Sequence, residues 1–316
     1  MRRILRVFLF YVVPTVALLA TLVLVWLYWE ASKPLEDYFS ARHGTLSDIS
    51  VRDSSRSGNQ QSQFMTVDSN SGLSVTFRVI RQAGADQRLP VLIVLGGHRT
   101  GSDAAGLFGD VGAQAVVALD YPYDGPDKIR GLSQILKTVP LARRAFIDTP
   151  PAVSLVLDWL TDQPWVDTDQ IVIVGASLGV PFAALAAARD QRIDGAMLVH
   201  GAADNMVWLE AQLARRVNTR LLHRPLASIV YWLAYGPTFD TARNVALISP
   251  RPVVIIGARN DERTPAGQTE ALYAAAGDPK LLRWTAGEHI EPGRAAVISE
   301  LLGIAEDVLP FHTEYR

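Results

Sequence analysis

The sequence predicts an α/β fold, in which helices cover both faces of a largely parallel sheet. Short apolar runs rich in β-branched residues alternate with helical patterns along most of the chain. Polar residues of catalytic types follow several of these runs, at the sheet edge where such folds bind ligands. Of the 316 residues, 49% are apolar and 20% are charged, which is typical of a globular protein rather than a disordered one.

Charge and cysteine content exclude several classes of function. A formal net charge of −2 gives no reason to expect a nucleic-acid partner, because such proteins usually carry a basic stripe. The absence of cysteine excludes disulfides, thiolate metal sites and cysteine nucleophiles. The composition leaves the oligomeric state open.

An N-terminal segment, residues 1–30, is predicted to be a transmembrane anchor. It contains 23 consecutive uncharged residues, 7–29, enough to cross a bilayer core of roughly 30 Å as a helix, with Pro14 as a tolerated kink. A cleaved signal peptide and a buried core helix are the alternatives. The positive charges before the segment predict a cytoplasmic N-terminus and a domain outside the cytoplasm, periplasmic in a bacterium. Those charges belong to Arg2, Arg3 and Arg6.

The rest of the chain is predicted to form a polar linker, 31–63, and one globular domain, 64–316. A hairpin is expected around 70–72. The predicted strands are 64–67, 73–80, 90–95, 115–120, 170–175, 195–201, 252–258 and 281–286. The predicted helices are 151–162, 181–190 and 295–309. Residues 201–248 are aromatic-rich and helical, and predict a small cap over the strand ends; an ordinary crossover helix is the alternative.

The pentapeptide Gly175–Gly179 places Ser177 between a buried strand and a helix. A G-x-S-x-G sequence at such a corner is typical of a nucleophile elbow, where a strained turn exposes the serine hydroxyl. The amide of Leu178 would then stabilise an oxyanion. Alternatively, the glycines serve only the packing of strand against helix.

A serine nucleophile needs a base and an orienting acid, in the chain order serine, acid, histidine. Asp261 follows the strand 252–258, and His289 follows the strand 281–286, so both would lie at the same sheet edge as Ser177. Glu262 and Asp204 are rival acids. The other histidines fit less well; they are His43, His98, His200, His223 and His312.

A second oxyanion donor is expected in the loop after the strand 90–95. The amide of His98, or failing that of Gly97, is the candidate, because glycines let the backbone approach a substrate closely; a plain turn is the alternative. No metal site is expected at His98, since no partner lies at ligand spacing. No cofactor is expected.

Together these segments resemble the α/β-hydrolase superfamily of serine hydrolases, over about 64–310. The similarity lies in "PVLIVLGGHRTG", "VVALDYPYDG", "IVIVGASLGVPFAALAAA", "PVVIIGARNDERTP" and "AGEHIEP", in that order. It implies a mostly parallel eight-stranded sheet and a triad of Ser177, Asp261 and His289. Many members have His-Gly where this chain has Leu95-Gly96 or Gly96-Gly97.

The sequence thus predicts a membrane-anchored serine hydrolase that cleaves a carboxylic ester or related acyl bond of a small-molecule or lipid-like substrate. Two alternatives remain open. One is a peptidase or amidase with the same triad. The other is a non-catalytic binding module with the hydrolase fold.

Overall fold

A single nine-stranded sheet organises the part of the chain that the computed structural model describes, namely residues 8–84, 87–97, 100–126, 128 and 131–314. Its strand order is β1-β2-β3-β5-β4-β6-β7-β8-β9. The strands are β1 (Leu46–Ser57), β2 (Gln60–Ser69), β3 (Ser74–Gln82), β4 (Leu89–Leu95), β5 (Ala115–Leu119), β6 (Val166–Ala176), β7 (Gly195–Val199), β8 (Val253–Ala258) and β9 (Lys280–Thr285). From β5 to β9 all neighbouring strands are parallel, whereas β1, β2 and β3 are antiparallel.

The predicted α/β fold with a mostly parallel sheet is confirmed, but the sheet has nine strands where eight were expected. The additional strand is β1, which lies within the predicted linker 31–63, as do a short helix and the start of β2. Nearly all of β1 is exposed, so its side chains show no alternation between a core face and a solvent face. Only its pairing with β2 defines it as a strand.

Helices pack on both faces of the sheet. The helices of the described chain are α1 (Val13–Ala31), α2 (Glu36–His43), α3 (Gly131–Thr161), α4 (Gly179–Arg189), α5 (Asn205–Ala214), α6 (His223–Leu233), α7 (Thr241–Ala246), α8 (Gln268–Ala275) and α9 (Ala295–Glu314), of which α3, α4, α8 and α9 contact the sheet directly. Helix α3 begins twenty residues before the predicted 151–162, and it contains Pro140, Pro150 and Pro151. Prolines usually end helical patterns, which is why the sequence indicated only the last third of this helix.

Two apolar clusters lie on opposite faces of the sheet. The larger cluster contains Phe77 from β3, Leu155 from α3 and Phe182 from α4. The smaller cluster joins the other face of β4, β6, β7 and β8 to α9 through Val297 and Leu301. The central strands are therefore buried on both sides, as their continuous apolar sequences predicted.

Residues 201–248 contain α5, α6, α7 and a 3₁₀ turn at Arg220–Leu222, and no strand. Helices α5 and α6 pack on each other, whereas α7 packs on α4 and α8. Just before α7, Phe239 is buried against Phe182, with ring centroids 4.9 Å apart. We call the segment 205–233, which comprises α5, the 3₁₀ turn and α6, the cap.

One described helical segment, Phe10–Ala31, is long and apolar enough to cross a membrane. Nearly all of its described side chains are exposed, whereas a core helix of this length would be covered by protein. Leu27 and Ala31 are buried, and α6 is its main packing partner elsewhere in the fold. The segment therefore touches the rest of the protein only through its last turns.

Candidate active site

Ser177 occupies a sharp corner between β6 and α4. Its φ is +54°, a left-handed conformation that non-glycine residues adopt rarely and at a cost. The flanking glycines allow this corner: a Cβ at Gly179 would lie 2.0 Å from the carbonyl oxygen of Leu95, and one at Gly175 would lie 2.6 Å from Ala183 Cβ. The glycines thus let β4, β6 and α4 approach closely while the hydroxyl stays accessible.

His289 lies within hydrogen-bonding distance of both other residues of the predicted triad, Ser177 and Asp261. His289 Nε2 is 2.7 Å from Ser177 Oγ, and His289 Nδ1 is 2.9 and 3.0 Å from the two carboxylate oxygens of Asp261. His289 is almost fully buried. This arrangement holds Nδ1–H towards the carboxylate, which leaves Nε2 free to accept the serine proton.

The environment of Asp261 keeps its carboxyl group ionised. Burial alone would raise the pKa of Asp261, but the hydrogen bond and electrostatic interaction with His289 lower it, and so do the backbone N–H groups of Thr264 and Arg263, for a net decrease. Those two N–H groups donate to Oδ1 at 2.7 and 2.8 Å. A fixed negative charge beside Nδ1 stabilises an imidazolium.

The rival acids have other contacts. Glu262 Oε2 accepts the backbone N–H of His289 at 3.1 Å, and its Oε1 accepts from Arg294 at 2.9 Å. Arg294 also donates to the carbonyl of His289 at 2.6 Å, so Glu262 and Arg294 fix the loop rather than the imidazole. Asp204 caps α5, where it accepts the N–H groups of Met206 and Val207.

His200 is a buried neighbour of the triad that sequence reasoning missed. Its ring centroid lies 5.6 Å from that of His289, and its Nδ1 accepts the N–H of Ile290 at 2.8 Å. Burial and the nearby charge of His289 lower the pKa of His200 to about 4, against smaller opposing effects of Asp261 and Glu262. A neutral His200 therefore orients the loop that carries His289. Only its position at a strand end hinted at this role.

Two of the three predicted oxyanion donors lie in the described chain. Leu178 directly precedes α4, and the positive end of the helix dipole there favours negative charge. Gly97 lies beside the nucleophile, since a Cβ there would be 3.6 Å from Ser177 Cβ. Tyr121 donates to the Gly96 carbonyl at 2.8 Å, which turns the Gly97 N–H to the opposite side of that trans peptide. His98 lies outside the described residues.

A cavity of about 790 Å³ extends from Ser177 between the sheet, the cap and α9, within the usual size range of small-molecule sites. Most of the side chains around it are apolar. They include Leu92, Val94, Val174, Val199 and Ile256 from the sheet, Trp208, Leu209 and Leu213 from the cap, and Ile298, Leu301 and Leu302 from α9. Arg216, Arg263 and Glu291 are the charged residues of the lining. The cavity thus joins an apolar interior to a polar reactive end.

Potential metal-ligating atoms of His200, Asp261 and His289 lie within 4.8 Å of one another. Each already has a partner in the protein: Nδ1 of His200 accepts from Ile290, and His289 uses one ring nitrogen for Asp261 and the other for Ser177. The nitrogen and oxygen atoms of the cluster are therefore already engaged in hydrogen bonds within the protein. Its donor set therefore gives no support for a resident metal.

The nine-stranded sheet with the serine elbow after β6 is the α/β-hydrolase fold. Residues 151–287 match the family model of the prolyl oligopeptidase family, Peptidase_S9, a stretch that includes Ser177 and Asp261 and ends just before His289. No curated protein matches the sequence. The resemblance to the α/β-hydrolase superfamily is thus confirmed.

Solved structures with the same fold include several esterases. The acetyl xylan esterase from Paenibacillus sp. R4 has a TM-score of 0.62 at 17% identity, over 85% of this chain and 92% of that one. Acetyl xylan esterase 1 from Thermoanaerobacterium sp. JW/SL YS485 has a TM-score of 0.59 at 17% identity, with the same coverage. A cold-adapted esterase from an Arctic intertidal metagenomic library has 0.52 at 17%, over 80% and 98%. These likenesses show that the chain shares the fold of these proteins, and the family match supports a serine hydrolase.

Proposed function

We propose that this protein is a membrane-anchored serine esterase that cleaves carboxylic esters with an apolar acyl chain. The contact that carries the proposal is the 2.7 Å separation of His289 Nε2 and Ser177 Oγ, with Asp261 on the other ring nitrogen. A hydroxyl so placed has its general base within reach, which is the requirement for nucleophilic attack on an acyl group.

In the proposed reaction, Ser177 Oγ attacks the ester carbonyl carbon while His289 Nε2 takes the hydroxyl proton. The backbone N–H groups of Leu178 and of Gly97 or His98 stabilise the oxyanion that forms. His289 then gives its proton to the leaving alcohol, and the acyl group stays on Ser177. A water molecule, deprotonated by His289, attacks the acyl-enzyme; His289 then returns this proton to Ser177 Oγ as the carboxylic acid leaves. Asp261 stays ionised and stabilises the imidazolium in both steps.

The cavity supports an acyl chain as the main recognition element of the substrate. Its sheet and α9 walls are apolar, so they would bind a hydrocarbon chain through burial of apolar surface, at roughly 25 cal/mol per Å². Acetyl xylan esterases among the similar structures act on acetyl groups, so a longer chain would distinguish this protein from them.

Helix α1 supports the anchoring. Its exposed apolar surface has no protein cover, and exposed Trp26, Tyr28 and Trp29 suit the bilayer interface at its C-terminal end. With Arg2, Arg3 and Arg6 on the cytoplasmic side, the hydrolase domain lies outside the cytoplasm, in the periplasm of a bacterium. The domain arrangement proposed is an anchor, 1–30, followed by the hydrolase domain.

Peptide bond hydrolysis is the second candidate, because the matching family model is that of prolyl oligopeptidases. The same triad attacks amides, so the two functions differ in the groups that bind beside Ser177. A panel of p-nitrophenyl esters from acetyl to decanoyl, set against peptide p-nitroanilides, separates them. Turnover of esters that increases with chain length supports the esterase. Faster turnover of the peptide p-nitroanilides, or of the acetyl ester, contradicts it.

The first test is covalent labelling of the full chain in detergent micelles by a fluorophosphonate probe. We expect labelling of the wild type and none of Ser177→Ala or His289→Ala, because both the hydroxyl and its base are needed. Ser228→Ala and His223→Ala, substitutions of the same types in the cap, should label normally. A folded wild-type protein that does not label would favour the non-catalytic binding module.

A further inference from the structure

We propose that the basic edge of the cap binds the surface of a bilayer rich in anionic phospholipid. We define the basic edge as Arg215, Arg216, Arg220, Leu221 and Leu222. The proposal rests on the proposed membrane anchoring, and it adds a second contact with the membrane beyond α1. Its consequence is that the active-site cavity opens beside the lipid headgroups.

Helix α1 brings the cap to the membrane. Tyr28, near the C-terminal end of α1, packs edge-on against Trp232 of α6, with centroids 5.8 Å apart and planes at 75°. Leu27 and Ala31 are buried on this same end of α1, whereas Trp26 and Trp29 remain exposed. Aromatic residues of this kind mark the bilayer interface, so a helix that packs on Tyr28 lies at that level.

The 3₁₀ turn that precedes α6 exposes two leucines. Leu221 is 87% exposed, more than any other large apolar side chain that the structure describes, and the adjacent Leu222 is 47% exposed. Adjacent exposed leucines beside cationic side chains are typical of segments that insert at a bilayer interface. These leucines are therefore placed to enter the acyl boundary of the bilayer.

The charge of the cap fits an anionic surface. Between 205 and 233 the sequence has four arginines and only one carboxylate, Glu210, although the whole chain has a net charge of −2. Glu210 pairs with Arg224 at 3.0 Å. Among the described residues, no carboxylate lies within ion-pair distance of Arg215, Arg216 or Arg220. Clustered arginines without acidic partners attract phosphatidylglycerol or similar lipids.

The basic edge adjoins the cavity. Arg216 is part of the basic edge and also lines the cavity. Leu213, about one turn earlier at the end of α5, lines the cavity as well. An interfacial cap would therefore present the cavity to ester groups at the depth where lipid headgroups meet acyl chains. A lipid ester could then reach Ser177 without crossing bulk water.

The absence of cysteine allows a direct test in the full chain. Leu221→Cys, labelled with the environment-sensitive dye NBD, is reconstituted in vesicles of phosphatidylcholine alone or mixed equally with phosphatidylglycerol. Thr168→Cys is the matched control. Thr168 is exposed on β6 about nine residues before Ser177, so it lies roughly 30 Å from the active-site edge of the sheet.

We expect a blue-shifted NBD emission at position 221, quenched at least twofold by spin-labelled lipid, and stronger with phosphatidylglycerol. The control position should show neither effect. Replacing Arg215 and Arg220 by glutamine should reduce the quenching at 221 by half or more. Equal, unquenched emission at 221 in both lipid mixtures would overturn the proposal, and so would a blue shift without lipid quenching, which indicates contact with another protein copy.

A parallel carbonate extraction tests the proposed membrane anchoring separately from the proposed contact of the cap with lipid. If the chain stays in the vesicle pellet and position 221 is not quenched, only the contact of the cap fails. If carbonate releases the chain, the anchor itself fails, and the cap proposal fails with it. Fluorophosphonate labelling of the same samples reports separately on the esterase proposal.

Discussion

Two adjacent carboxylates follow β8 and contact different parts of His289. Asp261 lies beside the imidazole of His289, whereas Glu262 accepts a hydrogen bond from its backbone N–H. We expect Asp261→Asn to lower kcat by about 10⁴, because the amide favours the wrong imidazole tautomer. Glu262→Gln should lower kcat by about tenfold at most, since one hydrogen bond to the loop weakens. Steady-state ester hydrolysis by the purified variants measures both. Equal losses would mean that the two carboxylates share one role.

His200 acts through its acceptor nitrogen, which holds the N–H of Ile290 beside the triad. Asparagine can place an oxygen where Nδ1 lies, and it tolerates the left-handed φ of +53° found at this position. We therefore expect His200→Asn to keep kcat within a few-fold of wild type, and His200→Leu to lower it by about tenfold or more with little change in KM. Equal kcat in both variants would exclude the positioning role.

The same histidine makes stability depend on pH. Its pKa is lowered to about 4 in the folded protein, against about 6.5 unfolded, so between these values only the unfolded chain takes up the proton. The free energy of unfolding should therefore fall as pH drops from 6.5 to 4, by about 3 kcal/mol at most from this group. Denaturant titrations of wild type and His200→Asn at both ends of this range should show a smaller loss in the variant.

At the scale of elements, the close contact of β4 with α4 determines the shape of the elbow. In Gly179→Ala the new methyl group would meet the backbone of Leu95, so we expect a loss of about 3 kcal/mol of stability and of most activity. Gly303→Ala is the matched control: this residue is exposed within α9 with open space around it, and alanine should stabilise the helix by about 1 kcal/mol. Thermal unfolding followed by circular dichroism tests the expected order of stability, with Gly303→Ala above the wild type and Gly179→Ala below it.

Elements buried on both faces were predictable from the sequence, and elements outside the core were not. Strands β4, β7 and β8 and the second half of β6 are nearly continuous apolar runs, and the polar residues that follow them form the site. Strand β1 has no apolar periodicity, and the prolines hide the first twenty residues of α3, about five turns. The role of His200 depends on the meeting of two distant loops, which no local pattern records.

At the scale of the whole molecule, strand order explains why the site forms where it does. The chain passes from β4 to β5 on one side, then returns through α3 to β6 on the other side of β4. Leu95 of β4 pairs with Gly175 of β6, so the loop with Gly97 and the corner with Ser177 leave the sheet side by side. Such reversals create crevices at the carboxyl edge of open sheets.

The cavity also has a consequence for the unfolding equilibrium of the molecule. Its wall includes Leu301 and Leu302 of α9, and Leu301 also belongs to the apolar cluster on that sheet face. A chain bound there completes the packing of α9, so occupancy and folding are thermodynamically linked. Decanoate at about 100 times its dissociation constant should stabilise the Ser177→Ala variant by about 3 kcal/mol, visible as a higher melting temperature, whereas acetate should leave it unchanged. The melting temperature then becomes a readout of which acyl chains the protein accepts, even where no hydrolysis occurs.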